Sequence, residues 1–364
     1  MKSLNLHALV AIALSLAAVL WFAWDIDWGD LGTVLSEVKL GWVLLASVLL
    51  LGEFGIRALR WKVLLRPLGR ETRLTDLFAS TVIGAAVNTL FPLRAGEVAK
   101  PVVAARRTGH SLSEVVATAV MERVYDILGL VSVLVLMVLV LPPGASAEGE
   151  LVTNLKLYGG AFGFFALTCM FVFFHLATRP DPARRLFELV LTLAPRRLQE
   201  PFLGLFDGFV RGLGNARDRK GLWQAGGLTL WMWLDGALAI YLLFFAFDID
   251  LPFGAACFVA VAIALTVALP QAPGFIGVFH VAIEKTLVLW GLEGSPAKGF
   301  AIVFWAVSFV PVTLTGIVGL WGEGMSLGAM RRLPERADDP ASGDEPQSGV
   351  ADSGEPVPEV SART

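Results

Sequence analysis

The chain has 364 residues, of which 55% are hydrophobic and only 17% charged, and its mean hydropathy is +0.68. Soluble domains carry about 25% charged residues, and the apolar runs here approach the roughly 20 residues that a bilayer crossing needs, so a soluble enzyme, a disordered chain and a secreted disulfide scaffold are excluded. The net charge of −3 is uneven: residues 333–364 hold eight acids and two bases, a net −6, which leaves +3 on the rest. A modestly basic membrane body suits loops that face anionic lipid and gives no support for nucleic-acid binding.

The first apolar run, residues 6–24, reads as an uncleaved span, because it is long and ends in Trp21 and Trp24 and not in a small-residue cleavage site. Five further runs have crossing length: 42–56, 115–141, 157–177, 222–247 and 300–322. Trp28, Trp42, Trp61, Trp223, Trp290 and Trp321 lie near run ends, where aromatic belts are expected. Bases follow the second run (Arg57, Arg60, Lys62, Arg66, Arg70, Arg73), precede the third (Arg94, Lys100, Arg106, Arg107) and fill the loop before the fifth. Residues 25–37, 142–150 and 248–250 carry acids and no bases. The positive-inside rule then predicts six crossings with both termini in the cytoplasm.

Two apolar stretches remain. Residues 77–93 have bases on both sides and contain Asn88 and Pro92; both ends should be cytoplasmic, which makes the segment re-entrant. Irregular backbone survives at membrane depth only when buried in protein or lining a wet cavity. Residues 253–290 are interrupted by Pro270, Pro273 and Gly274, and form either a broken hairpin dipping from the outside or two full spans. The expected fold is an all-α polytopic membrane protein, six spans plus two broken or re-entrant elements, in the pattern of an inverted repeat. In transporters built this way the site lies between the broken elements; the plainer alternative is a pair of kinked packing helices. The loop 179–221 spaces Leu186, Leu189, Val190 and Leu193 as an amphipathic helix on the inner leaflet. Residues 1–332 are thus one membrane domain, and 333–364 a disordered acidic tail dispensable for the core.

Chemistry concentrates in three places. Arg94, Glu97 and Lys100 recur every three residues after Pro92. A helix starting near Ala95 puts Glu97 in its first turn, where the dipole favours an anion, and the Arg94 fork suits a phosphate. With Asn88 they form a candidate headgroup site; the alternative is an Arg–Glu pair that anchors the loop. Glu122 and Asp126 share one face of the third span and need a cation. Arg94 and Lys100 are the obvious suppliers, while Arg123 is expected to point elsewhere. The reading is an ionic network tying the re-entrant loop to the bundle; an interfacial charge cluster is the alternative. Glu53 and Arg57 read as a helix-end pair, with Arg57 snorkelling to the interface. Asp235 lies deep in the fifth run, so it is protonated, paired or wet. Pro273, Gly274 and Gly277 break the last stretch, and His280 and Glu284 follow on one face as a polar stripe; a satisfied histidine in a packed hairpin tip is the alternative. Glu122, Asp126, Asp235, His280 and Glu284 are candidate proton carriers.

Three ordered motifs carry a resemblance. Asn88 with Phe91, Pro92, Leu93, Arg94, Ala95, Gly96 and Glu97 is the first; Glu122, Arg123, Val124, Tyr125 and Asp126 the second; Pro273, Gly274, Phe275, Ile276 and Gly277 the third. They resemble the signatures of the flippase-like membrane family named after lysylphosphatidylglycerol synthase, over residues 6–330. Where the family pattern has a second Gly and a Glu, this chain has Phe275 and His280. The resemblance implies a polytopic lipid-translocating or lipid-handling module without aminoacyl transfer, which belongs to an additional soluble domain. The chain has no Walker A loop, no dinucleotide fingerprint and no nucleophile elbow. Its histidines and its two cysteines, Cys169 and Cys257, lack ligand spacing. No ATP site, cofactor or metal is therefore expected, and the chain is expected not to be an enzyme. The expected partners are a membrane phospholipid or lipid-linked anion, in the cytoplasmic membrane. The alternatives are a scaffold for a lipid synthase or glycosyltransferase, or a membrane enzyme acting on lipid phosphates.

Overall fold

In a computed structural model of the chain, residues 16–24, 26–91, 94–140, 219–268 and 273–322 are described, with isolated positions between 184 and 203. The run 157–177, nearly all of the amphipathic loop, Pro92, Pro270 and the acidic tail lie outside the described residues. Among these residues there is no strand. In chain order the helices are α1 (16–23), α2 (Trp28–Ser36), α3 (Leu40–Leu65), α4 (Leu74–Leu90), α5 (Gly96–Thr108), α6 (Leu112–Val140), α7 (Arg219–Ala246), α8 (Phe253–Ala268), α9 (Val278–Val288) and α10 (Gly294–Gly322). Three of them, α3, α7 and α10, are long and apolar enough to cross a membrane. Helix α6 is equally long but carries Glu122, Arg123 and Asp126.

The short helices follow from the breaks read in the sequence. Helix α4 stops at Leu90, and Phe91, the residue before Pro92, is extended (φ −118°, ψ 146°), as a residue preceding proline must be. Helix α5 begins at Gly96 and ends on Gly109 in the left-handed region. At 1.5 Å per residue α4 is about 25 Å long and α5 about 20 Å, short of the roughly 30 Å hydrocarbon core. They pack antiparallel: a Cβ on Gly96 would sit 1.9 Å from the Gly84 carbonyl oxygen, so the two backbones touch as small-residue membrane contacts allow. Arg107 at the end of α5 pairs with Asp76 at the start of α4 at 3.2 Å, which closes the hairpin at its base.

The second hairpin, α8–α9, is built alike from helices of about 24 and 17 Å, each shorter than the roughly 30 Å hydrocarbon core. Its base is held by Phe258 against Trp290, ring centroids 6.4 Å apart. The tips of the two hairpins meet, for a Cβ on Gly274 would lie 4.0 Å from the Thr89 carbonyl oxygen.

Two apolar cores flank that meeting point. One joins α7, α8, α9 and α10 around Phe244, Phe279, Phe300 and Phe304. The other joins α3, α4 and α6 around Trp61, Leu64, Leu77 and Met121. Trp61 therefore corrects the aromatic-belt expectation: it is fully buried and donates its indole N–H to Thr118 Oγ1 at 3.0 Å. Trp28, Trp223 and Trp321 remain exposed, as belt residues should. Cys257 is a buried free thiol.

Candidate functional site

The turn between α4 and α5 sets Arg94 at the tip of the first hairpin. Its φ of 56° is left-handed, a conformation that strains a non-glycine residue by about 1–3 kcal/mol and clusters at functional sites. Arg94 Nη2 donates to Glu97 Oε1 at 2.9 Å, and Glu97 occupies the first turn of α5. The second Glu97 oxygen accepts from Arg123 Nη2, and Arg123 Nη1 donates to Asp126 Oδ2 at 3.2 Å. Arg123 is thus a bridge and does not point elsewhere. Being i, i+3 from Asp126 it can swing over the same helix face.

Beyond Asp126 the network goes inward. Arg60, on α3, donates to Asp126 Oδ1 at 2.8 Å and to Thr229 Oγ1 at 3.1 Å, and lies 3.7 Å from Glu122 Oε1. Lys100 donates to Glu122 Oε2 at 2.6 Å with its ammonium 4.3 Å from the centroid of a Trp61 ring. Arg60 is only 1% exposed. Lone buried charges are prohibitive in an apolar medium, whereas paired and hydrogen-bonded ones persist. The sequence points to Lys100 and Arg94 as the partners of Glu122 and Asp126. Lys100 does reach Glu122; Arg94 instead stops at Glu97, and Arg60 is the cation that serves Asp126. Only its place amid the bases that close the apolar second run, one turn beyond Arg57, marks Arg60 in the sequence.

Four cations (Arg60, Arg94, Lys100, Arg123) thus meet three carboxylates (Glu97, Glu122, Asp126) in one connected group. The group sits at a break in the membrane helices, and its least buried members, Arg94, Glu97 and Arg123, lie at its tip end. Such an arrangement can receive an anion. Asn88 sits beside the same turn, its Oδ1 2.6 Å from where a Gly96 Cβ would stand.

The second hairpin is different. Phe275, at its tip, is also left-handed at φ 56°, which is where a glycine would be unstrained; it stacks on Phe309 at 5.1 Å. Pro273 and Gly274 form a single helical turn before α9, and Trp305 Nε1 donates to the Gly274 carbonyl at 2.7 Å. His280 is buried, its Nδ1 accepting the Gly277 N–H at 3.4 Å and its ring 5.2 Å from Phe22 and 5.7 Å from Trp305. His280 is thus packed among rings at the hairpin tip. Glu284, also buried, borders a cavity of about 460 Å³ with Trp21 and Trp24 and takes a 3.3 Å contact from Lys285. His280, Glu284 and Asp235 stand apart from the ionic network. Asp235 is on α7, with one carboxylate oxygen buried and unbonded.

Glu53 and Arg57 are paired (Arg57 Nε to Glu53 Oε1, 3.0 Å), yet Arg57 lies two turns inside α3 and not at its end. Together they face a second cavity.

Paired broken hairpins meeting inside a bundle of long apolar helices define a multi-pass all-α membrane protein with its charge gathered at one break. The profile of the lysylphosphatidylglycerol synthase TM region matches residues 8–316, and the chain belongs to that family. It is 26% identical over 330 residues to a UPF0104 membrane protein of Methanothermobacter thermautotrophicus, covering 87% of this chain and 92% of that one. A second UPF0104 membrane protein, from Methanocaldococcus jannaschii, is 22% identical over 232 residues, 64% of this chain and 92% of the relative. No solved structure matches.

Proposed function

We propose that the protein moves a lipid with an anionic headgroup between the leaflets of the cytoplasmic membrane, without ATP and without making or breaking a covalent bond, and with both termini in the cytoplasm. The observation that carries this reading is the ionic network at the first hairpin tip, which lies beside the tip of the second hairpin. Membership of a family named for a lipid synthase's membrane region supports it. Ionisable groups at membrane depth are costly and persist where they serve transport or binding. The headgroup meets Arg94, Glu97 and Arg123, while Lys100, held on Glu122, positions the helix that carries Glu97. Acyl chains stay in lipid.

The test is the initial rate of lipid transfer in liposomes at matched protein density. Arg94→Ala abolishes transfer, and Arg94→Lys keeps part of it, since an ammonium supplies charge without the planar fork. Wild-type rates in Arg94→Ala end the reading and favour a scaffold for a lipid-modifying or glycosyl-transferring enzyme.

A further inference from the structure

The cavity beyond the network has the form of a second binding site. It encloses about 260 Å³ and is walled by five helices, with Met232, Trp233, Phe279 and Phe304 among its apolar faces. In that apolar wall sits a single ion pair. Glu53 and Arg57 are mostly buried, 16% and 31% exposed, and burying an ion pair costs more than it returns unless something else uses it.

The geometry of the pair shows what is left for a ligand. Arg57 donates both Nε and Nη2 to the same Glu53 oxygen, Oε1, at 3.0 and 2.5 Å. Among the described residues Arg57 Nη1 and Glu53 Oε2 form no hydrogen bond, one a donor and the other an acceptor. Glu53 Oε2 lies toward Gly236 of α7, 3.8 Å from where a Cβ would stand, so the wall opposite has no side chain. A ligand that satisfies both atoms presents an anionic oxygen and, beside it, a hydroxyl or ammonium hydrogen. A phosphodiester headgroup with a short hydroxylated or amino substituent does so. The volume, about 260 Å³, falls just below the roughly 300–1,000 Å³ of ordinary small-molecule pockets, which suits a small headgroup. Arg57 lies one turn before Arg60 on α3, so this cavity adjoins the inner end of the network that starts at Arg94.

We propose that the Glu53–Arg57 cavity is a second headgroup station, selective for small phosphodiester headgroups that carry a hydrogen-bond donor. The proposal rests on the lipid-handling reading for its acyl chains.

The test uses the full-length protein and three dioleoyl lipids: phosphatidylglycerol, diacylglycerol, which lacks the phosphate, and a phosphatidylethanolamine whose headgroup bears a polyethylene glycol chain. Retention of each on the purified protein is read by native mass spectrometry. Phosphatidylglycerol is retained at least tenfold better than the other two, and Gly236→Leu, which fills the space beside Glu53 Oε2 and leaves both charges in place, removes that advantage. Arg57→Met does the same; if it fails to fold, Gly236→Leu carries the test, its unchanged thermal unfolding showing an intact fold. Wild-type retention in Gly236→Leu, or equal retention of the bulky lipid, overturns the proposal. Liposome transfer separates the two readings. No transfer by the wild type, with retention lost in Gly236→Leu, ends lipid movement and leaves the site. Full transfer and full retention in Gly236→Leu end the site and leave lipid movement.

Discussion

Hairpin α4–α5 turns at Arg94 and hairpin α8–α9 turns at Phe275, both at φ 56°, and their tips touch; around those matching turns the first is filled with charge and the second with rings. At the first turn a carboxylate follows the break and joins Arg123, Asp126, Arg60, Glu122 and Lys100. At the second, Phe275, Phe279, His280, Trp305 and Phe309 pack on one another. Similar backbone plans therefore do not dictate similar chemistry. A charged hairpin can shift between ion partners at modest geometric cost, whereas interlocked rings tolerate little displacement. Under the proposed function the first hairpin receives the headgroup and the second is the wall beside it.

Five single variants, one of them also combined with a second substitution, break or sharpen that contrast, read by thermal or denaturant unfolding of the purified protein. Arg60→Met has the largest effect, a loss of about 3–5 kcal/mol, because Asp126 and Glu122 each lose a buried cation and keep only Arg123 and Lys100. A second substitution, Asp126→Leu, restores part of the loss; no recovery would mean that Arg60 acts by packing and not by charge. Gly96→Ala comes next, at about 3 kcal/mol, toward the upper range for single substitutions, since its Cβ meets the Gly84 carbonyl oxygen at 1.9 Å. Gly254→Ala in the second hairpin meets nothing within 4 Å and is near neutral. Equal costs at the two positions would erase the distinction between a close-packed and an open hairpin helix.

Trp305→Phe removes the donor to the Gly274 carbonyl while keeping an aromatic ring. It costs about 1–3 kcal/mol, the desolvation of one orphaned acceptor; no change would show the second tip to be held by ring packing alone. The smallest effect is a pH slope at the base of the first hairpin. Burial pushes His110 below its ordinary value of 6.5, against the pull of Glu114 and with a smaller push from Arg70. Its Nδ1 shares a 3.0 Å hydrogen bond with Thr108, and its Nε2 is buried without a partner. A depressed basic group leaves stability complete above pH 6.5 and drains it as the pH falls from 6.5 to the folded value. His110→Asn flattens that window, and an unchanged slope assigns the pH dependence to other groups.

Much of the candidate site is legible in the amino-acid sequence. Pro92 and the Pro273–Gly277 cluster announce both breaks, the spacing of Arg94 and Glu97 puts an acid in the first turn of α5, and Glu122 with Asp126 asks for a cation. Arg60 stays hidden because a guanidinium near the end of an apolar run has two readings, interface anchor or buried partner. Only the packing of α3 against α6 and α7 selects between them. At His280 the spacing from Glu284 carries no information about which rings will close over it.

Local signals thus determined where helices start, stop and break, because helix termini and hydropathic runs depend on residues within a turn or two of one another. The tertiary structure alone decided which cation meets which carboxylate, that the two hairpin tips touch, and that Glu53 and Arg57 face a cavity. Those outcomes depend on side chains as far apart in the chain as Arg60 and Thr229 or Thr89 and Gly274, brought together by helix packing whose register no local pattern encodes.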